Sequence, residues 1–177
     1  DYAAYLGGAA RLVLERLGNS NALYHNVEHT VMVVLVGQQI LRGRLLATSI
    51  TPEEWLHYLC ALLVHDIGFV RGVCPGDTER EIVVDETGRT ITPLRGASYA
   101  ALAPYHVDRA KLYARERFGG SVFVDAERVC DCIEMTRFPP PDDPAYADTA
   151  SEAGLVRAAD LIGQMADPFY HRKIVAL

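Results

Sequence analysis

The sequence predicts an all-α fold, a helical bundle with a small β-hairpin insertion at about residues 78–94. Two observations favour helices: apolar side chains recur at helical spacing along most of the chain, and capping residues precede several of these stretches. The hairpin is predicted because β-rich segments flank the turn Glu86-Thr87-Gly88.

Local signals predict the first three helices. Apolar residues at helical spacing indicate a helix over residues 2–17 and a second over residues 26–46. The third begins with a capping box, because Thr51 can cap it, Pro52 suits its first position and Glu54 lies three residues after the cap.

The third helix runs through an apolar stretch to His65-Asp66, and the chain then changes character. Residues 71–96 hold Gly, Pro, Asp and Thr and few large aliphatic side chains, with β-rich segments at 81–85 and 89–92. We expect an insertion in the helical frame that forms a flap over a cleft. Replacing residues 78–94 with a short linker is expected to leave the core folded.

Helical patterns resume after the insertion, and Asp125 and Ser151 are placed to cap two of the helices. The expected helices cover residues 97–103, 104–118, 125–137 and 151–165, and a short last one begins at residue 168. The 177 residues suit one domain, with a core at about 24–167 and the insertion at 71–96.

Composition excludes several classes of protein. Half of the residues are hydrophobic and 23% are charged, which is unlike a disordered chain. The longest runs without Asp, Glu, Lys or Arg have 13 and 12 residues, short of the roughly 18 needed to cross a membrane. The net charge of −6 argues against a nucleic-acid partner. The four cysteines lack metal or redox spacing and no signal-peptide pattern is present, so a cytoplasmic location is expected.

Five polar residues stand out against apolar sequence. His25 and His29 are four apart and face one way on a helix. His65 and Asp66 follow an apolar helix, and Asp160 lies between Ala-Ala and Leu-Ile. Each has a structural alternative: a buried histidine with satisfied hydrogen bonds, a salt bridge to an arginine, or an exposed helix face.

Taken together, two imidazoles and two carboxylates suit a divalent metal ion with open coordination positions. The set His29, His65, Asp66 and Asp160 favours Mn, Fe, Co, Ni, Zn or Mg over a thiolate-preferring metal. An open position would let the ion hold a water molecule and lower its pKa.

The order H…HD…D, with the apolar run before HD and the AADLIG segment around Asp160, resembles the HD-domain superfamily of metal-dependent phosphohydrolases. The resemblance covers about residues 24–167. It implies an all-helical HD domain in which His29, His65, Asp66 and Asp160 bind the metal.

The stretch Y-H-N-x-x-H, from Tyr24 to His29, also resembles the opening motif of class I cyclic-nucleotide phosphodiesterases. That resemblance implies that His25 donates a proton to the leaving oxygen while His29 binds metal. We therefore expect His25 and Asp66 to be catalytic residues. The alternative for His25 is a supporting or capping role.

The sequence departs from each named subclass of the superfamily. The phosphodiesterases have another histidine where this chain has Phe69, and the (p)ppGpp hydrolases have an acidic pair where it has Phe69-Val70. The G-Y-P element of the cyclic-di-GMP enzymes is missing. The general class is therefore favoured over any particular substrate.

Three further residues are candidates for contact with substrate or with the primary site residues. His106 and Arg109 share one face of a helix, where HD proteins often place a group that touches a second metal or the phosphate. Gln164 lies four residues after Asp160 and shares its face. The alternative for the first two is a solvated helix, and His57 and His171 are expected at the surface.

The function expected is hydrolysis of a small phosphoester, a nucleotide or cyclic nucleotide, by a metal-activated water with one or two metal ions per chain. The alternatives are an iron-dependent oxygenase or a C≡N hydratase of the same fold, and a non-catalytic metal-binding regulatory module. The expected partner is a small-molecule substrate, without nucleic acid or membrane. The oligomeric state, including a homodimer, stays open.

Overall fold

The computed structural model describes residues 1–173 and confirms an all-α architecture with one small hairpin. The helices are α1 (Tyr2–Gly18), α2 (Val27–Arg44), α3 (Pro52–Val64), α4 (His106–Phe118), α5 (Ala126–Glu134), α6 (Glu152–Met165) and α7 (Tyr170–Lys173). The strands are β1 (Ile82–Val83) and β2 (Thr90–Ile91), and short 3₁₀ turns cover Ile67–Phe69, Tyr99–Leu102 and Pro144–Ala147. No helix within residues 1–173 combines the length and the apolar character that a membrane span requires.

Capping side chains set the start of the helices that carry the chemistry. Asn26 accepts from the amide of His29 at 3.2 Å, which fixes the first turn of α2. The capping box at Thr51 and Glu54 is present at the start of α3. Asp125 and Ser151 cap α5 and α6, as predicted.

Helix α3 is the centre of the bundle. Every residue from 56 to 64 is buried, and the helix packs against α1, α2, α5 and α6. A helix that is apolar on all sides has to be enclosed by others. Its carboxyl end, where His65 and Asp66 follow, is therefore buried too.

A close contact between α2 and α6 brings their polar residues together. A Cβ atom on Gly163 would lie 2.9 Å from a methyl group of Val33 and 3.1 Å from its Cα atom. Only glycine permits this approach without a shift of one helix. It places Asp160, three residues earlier on α6, next to the start of α2.

The hairpin is confirmed, but the expectation that it adds little to the core is wrong. Strands β1 and β2 are antiparallel, with Ile82 opposite Ile91 and Val83 opposite Thr90. Ile82, Val83 and Val84 are all buried. Excision of residues 78–94 would remove these buried side chains and uncover the surface that they pack against, so we now expect it to destabilise the fold.

Other differences from the expected elements are small. The segment expected as a helix at 97–103 is the 3₁₀ turn Tyr99–Leu102, and the last helix begins at Tyr170. His57, expected at the surface, is buried: Nδ1 donates to the Glu53 carbonyl and Nε2 accepts from the amide of Asp125, both at 2.8 Å. His171 is exposed, as predicted.

Candidate metal centre

Three elements converge on one point inside the bundle. His29 lies in the first turn of α2, His65 and Asp66 directly follow α3, and Asp160 lies on α6. The structure brings together all four residues that the sequence singled out as metal ligands.

The four side chains form a closed ring of nitrogen and oxygen atoms. His29 Nε2 lies 3.3 Å from Asp66 Oδ2 and 3.3 Å from Asp160 Oδ1. His65 Nε2 lies 3.1 Å from Asp66 Oδ2 and 3.6 Å from Asp160 Oδ1. Two ligands about 2.1 Å from one ion, at angles near 90–110°, lie about 3.0–3.5 Å apart. The ring therefore fits a single divalent ion at its centre.

The two imidazole nitrogens that face the centre of this ring make no hydrogen bond within the described residues. Nε2 of His29 and Nε2 of His65 are buried without a hydrogen-bond partner there. His65 Nδ1 lies 2.8 Å from the Leu62 carbonyl, to which it donates its proton. In the neutral ring, Nε2 then carries the lone pair, which is the form that binds metal.

Charge in the ring also calls for a cation. Burial raises the pKa of Asp66, but His65 and His25 outweigh this and lower the pKa well below its usual range. Burial likewise opposes ionisation of Asp160, yet His29 and His65 hold its pKa at about 2. Two nearly buried carboxylates that stay ionised need compensating positive charge. Without a metal ion, that charge comes from protonated imidazoles.

The pKa values of the histidines shift in the matching direction. Burial lowers the pKa of His65, but the adjacent Asp66 and Asp160 carboxylates raise it well above the usual value. Burial also lowers the pKa of His29, and the adjacent carboxylates of Asp160 and Asp66 reverse this into a net rise. A metal ion would have to displace these protons.

His25 lies at the edge of the ring. Its Nδ1 is 3.0 Å from Asp66 Oδ2, and its ring stacks on Phe69 with centroids 4.2 Å apart. When Nδ1 donates to Asp66, Nε2 is the atom left for solvent or substrate. His25, His29 and Asp66 also form a second group of closely spaced donors that could hold an ion.

His106 lies beside His25, with ring centroids 6.1 Å apart, and its contact with substrate stays a prediction. Its ring stacks on Phe69, with centroids 4.4 Å apart, and its Nδ1 donates to the Ala103 carbonyl at 2.6 Å. Burial lowers the pKa of His106 despite the nearby Asp66. The ring is therefore neutral near pH 7, and its Nε2 is an acceptor.

The model of one family, described as Npun_R2479-like, matches residues 1–177. The chain belongs to the Npun_R2479-like family. Searches of curated proteins and of solved structures found no match. Because the family's description states no activity, the chemistry of the centre is the basis for proposing one.

In this Npun_R2479-like chain, Arg109 is not placed to contact substrate, contrary to the expectation from the sequence. The side chain is fully buried and its donors are engaged, with Nε donating to the Gly68 carbonyl at 2.7 Å and Nη2 to the Val70 carbonyl at 2.7 Å. The same guanidinium binds both carboxylate oxygens of Asp77, at 2.9 and 3.0 Å, and the Val83 carbonyl. It ties the hairpin to the turn after Asp66 and leaves no face for a phosphate.

Gln164 lies one turn after Asp160 on α6 and is partly buried, so its contact with substrate stays a prediction.

Next to Asp160 the structure shows a cavity of about 260 Å³, called here the Asp160 cavity. Its lining consists of Thr136, Arg137, Phe138, Pro140, Arg157, Asp160 and Leu161. Sequence reasoning did not single out Arg157 or Phe138, although Arg157 lies three residues before Asp160.

Proposed function

We propose that this protein is a metal-dependent phosphohydrolase that cleaves a small phosphoester, with nucleotides and cyclic nucleotides as the first class to test. The ring of His29, His65, Asp66 and Asp160 carries the proposal, because its spacing of 3.1–3.6 Å fits one divalent ion. The resemblance of the H…HD…D order to HD-domain phosphohydrolases directs the choice of reaction.

The donor set limits which ion would bind. Two imidazole nitrogens and two carboxylate oxygens suit Mn, Fe, Co, Ni, Zn or Mg. The cysteines lie outside both donor groups, and burial raises the pKa of Cys60 and of Cys74 to about 12. The ring accounts for one ion per chain, and the group with His25 would be needed for a second.

The bound ion would polarise a phosphoryl oxygen and activate a water molecule for attack. The side chains supply the remaining functions. Asp66 holds His25 through Nδ1 at 3.0 Å, and Phe69 stacks on the ring and limits its rotation. In its imidazolium form His25 carries a second proton at Nε2, and it can give that proton to the leaving oxygen.

The proposed partner is a small molecule. The net charge of −6 disfavours a long polyanion such as nucleic acid, whereas a single phosphate can be held by the ion. Four free, buried cysteines fit a reducing compartment, so a cytoplasmic location belongs to the same proposal.

The test joins metal analysis to a substrate panel. Protein loaded separately with Mn²⁺, Fe²⁺, Co²⁺ and Zn²⁺ would be assayed on cyclic nucleotides, nucleoside monophosphates and chromogenic phosphoesters. Asp66→Ala and Asp160→Ala should lose the ion and turnover together. Asp131→Ala, an exposed carboxylate on α5, is the matched control and should lose neither. A wild-type protein that binds the ion yet hydrolyses no ester of the panel would contradict the proposal.

A further inference from the structure

The Asp160 cavity adjoins one of the two accessible members of the centre. Side-chain exposure is 18% for Asp160 and 19% for His25, whereas His29, His65 and Asp66 are 1–3% exposed. A ligand therefore reaches the centre past His25 or past Asp160. On the Asp160 side, the cavity of about 260 Å³ has room for a small organic group.

Arg157 is the cation of this cavity that remains available. The neighbouring Arg137 is engaged by Asp108 at 2.8 Å and by Glu134 at 2.5 and 3.0 Å. Arg157 makes one hydrogen bond, from Nη2 to the Tyr146 carbonyl at 3.1 Å, and no carboxylate of residues 1–173 lies within ion-pair distance. A guanidinium has five N–H donors in a planar fork, so most of its binding capacity is free for an anion.

Phe138 provides an aromatic surface at the same cavity. Its side chain lines the cavity, and 78% of the residue is exposed. An exposed ring beside a cation is the combination that binds an anion attached to a planar group, because the ring can stack and the guanidinium can pair.

We infer that the Asp160 cavity binds the substrate, with Arg157 on an anionic phosphoryl oxygen and Phe138 stacked on a planar ring. The substrate class is then an aryl or nucleoside phosphoester rather than an alkyl phosphate. The identification of this ligand as a substrate depends on the proposed function, whereas the binding itself does not.

Binding can be tested without turnover, using phosphonates whose C–P bond is not hydrolysed. Phenylphosphonate and methylphosphonate would be titrated calorimetrically into the Mn²⁺-loaded protein. Arg157→Gln should weaken both probes by about tenfold or more, because it removes a charge-assisted pair. Phe138→Ala should weaken phenylphosphonate by about five- to tenfold and leave methylphosphonate unchanged.

Two control variants match these changes elsewhere. Arg44 also donates to one carbonyl, that of Ala150 at 2.6 Å, but lines a different cavity. Phe123 is also an exposed ring, and it packs against Tyr2 and Tyr5 of α1. Arg44→Gln and Phe123→Ala should bind both probes like the wild type, and thermal melting should show that all four variants are folded.

The outcomes separate the two proposals. Unchanged affinity in Arg157→Gln and Phe138→Ala, equal affinity of the wild type for both probes, or no binding at all would overturn the inference. Turnover of aryl esters with an unchanged KM in both variants would also overturn it while the proposed function stands. Selective probe binding without turnover of any ester would overturn the proposed function alone.

Discussion

The affinity of the centre for Mn²⁺ should fall steeply on acidification. His29 and His65 must be neutral to bind the ion, and the carboxylates of Asp66 and Asp160 raise the pKa of both imidazoles. Proton competition should therefore begin above the ordinary histidine pKa of about 6.5.

The size of the effect follows from counting the protons displaced. Asp160 has a pKa of about 2 and Asp66 is also lowered, so both carboxylates stay ionised near neutral pH and release no protons. Each protonated imidazole reduces the logarithm of the affinity by about one per pH unit. The slope should rise from near zero in alkaline solution towards about two once both rings are protonated.

Calorimetric titration of the chelator-treated protein with Mn²⁺, from about pH 8.5 down to about pH 5.5, measures this slope. Asp160→Asn keeps a ligand oxygen but removes one carboxylate that raises both imidazole pKa values. It should bind Mn²⁺ more weakly at every pH, and the onset of proton competition should move to lower pH. His171→Ala, at an exposed histidine, should keep the wild-type curve. A slope that never exceeds one would show that the two imidazoles do not both bind the ion.

Rising pH should lower the folding stability of the metal-free protein and increase the stabilisation that Mn²⁺ provides. In the metal-free protein, the pKa of His65 is higher in the folded state than in the unfolded state. Its contribution to stability is therefore fully present at pH values below the unfolded-state pKa, and it is lost as the pH rises through the folded-state pKa. The melting temperature of the chelated protein should therefore fall between about pH 6 and 8.5, while the shift caused by Mn²⁺ should grow.

Three substitutions test the assigned roles. His25→Ala should retain the ion but lose about 10²–10⁴-fold in rate, and less on esters with good leaving groups, measured by metal content and steady-state kinetics. Arg109→Met should lower the free energy of unfolding in urea by about 3–5 kcal/mol because it leaves a buried carboxylate unpaired, whereas Arg115→Met, at an exposed ion pair, should cost about 0–1 kcal/mol. A similar loss for both arginines would contradict the buried-pair argument. Gly68→Ala would place a Cβ 1.9 Å from the His106 carbonyl oxygen, so α4 must shift and stability should fall by about 1–3 kcal/mol in the same urea assay; unchanged stability would refute this close contact.

The helices and the candidate ligands could be predicted because their signals are local. The capping box at Thr51 and the caps at Asp125 and Ser151 lie within a few residues of the helices that they begin. The ligand candidates stood out because polar groups such as His65 and Asp160 interrupt apolar sequence, where an unpartnered charge would be costly.

The sequence by itself determined the helical frame and which polar residues needed a partner. Only the tertiary structure decided which residues pair with these polar side chains. Arg109 binds Asp77, 32 residues away, and His57 accepts from Asp125, 68 residues away. Helical spacing tells which face of a helix a side chain occupies, but the packing of distant segments decides whether that face meets solvent, a counter-charge or a cleft. For the same reason Arg157, on a helix of mixed character, emerged as part of the Asp160 cavity only when α6 and the segment after α5 were seen together.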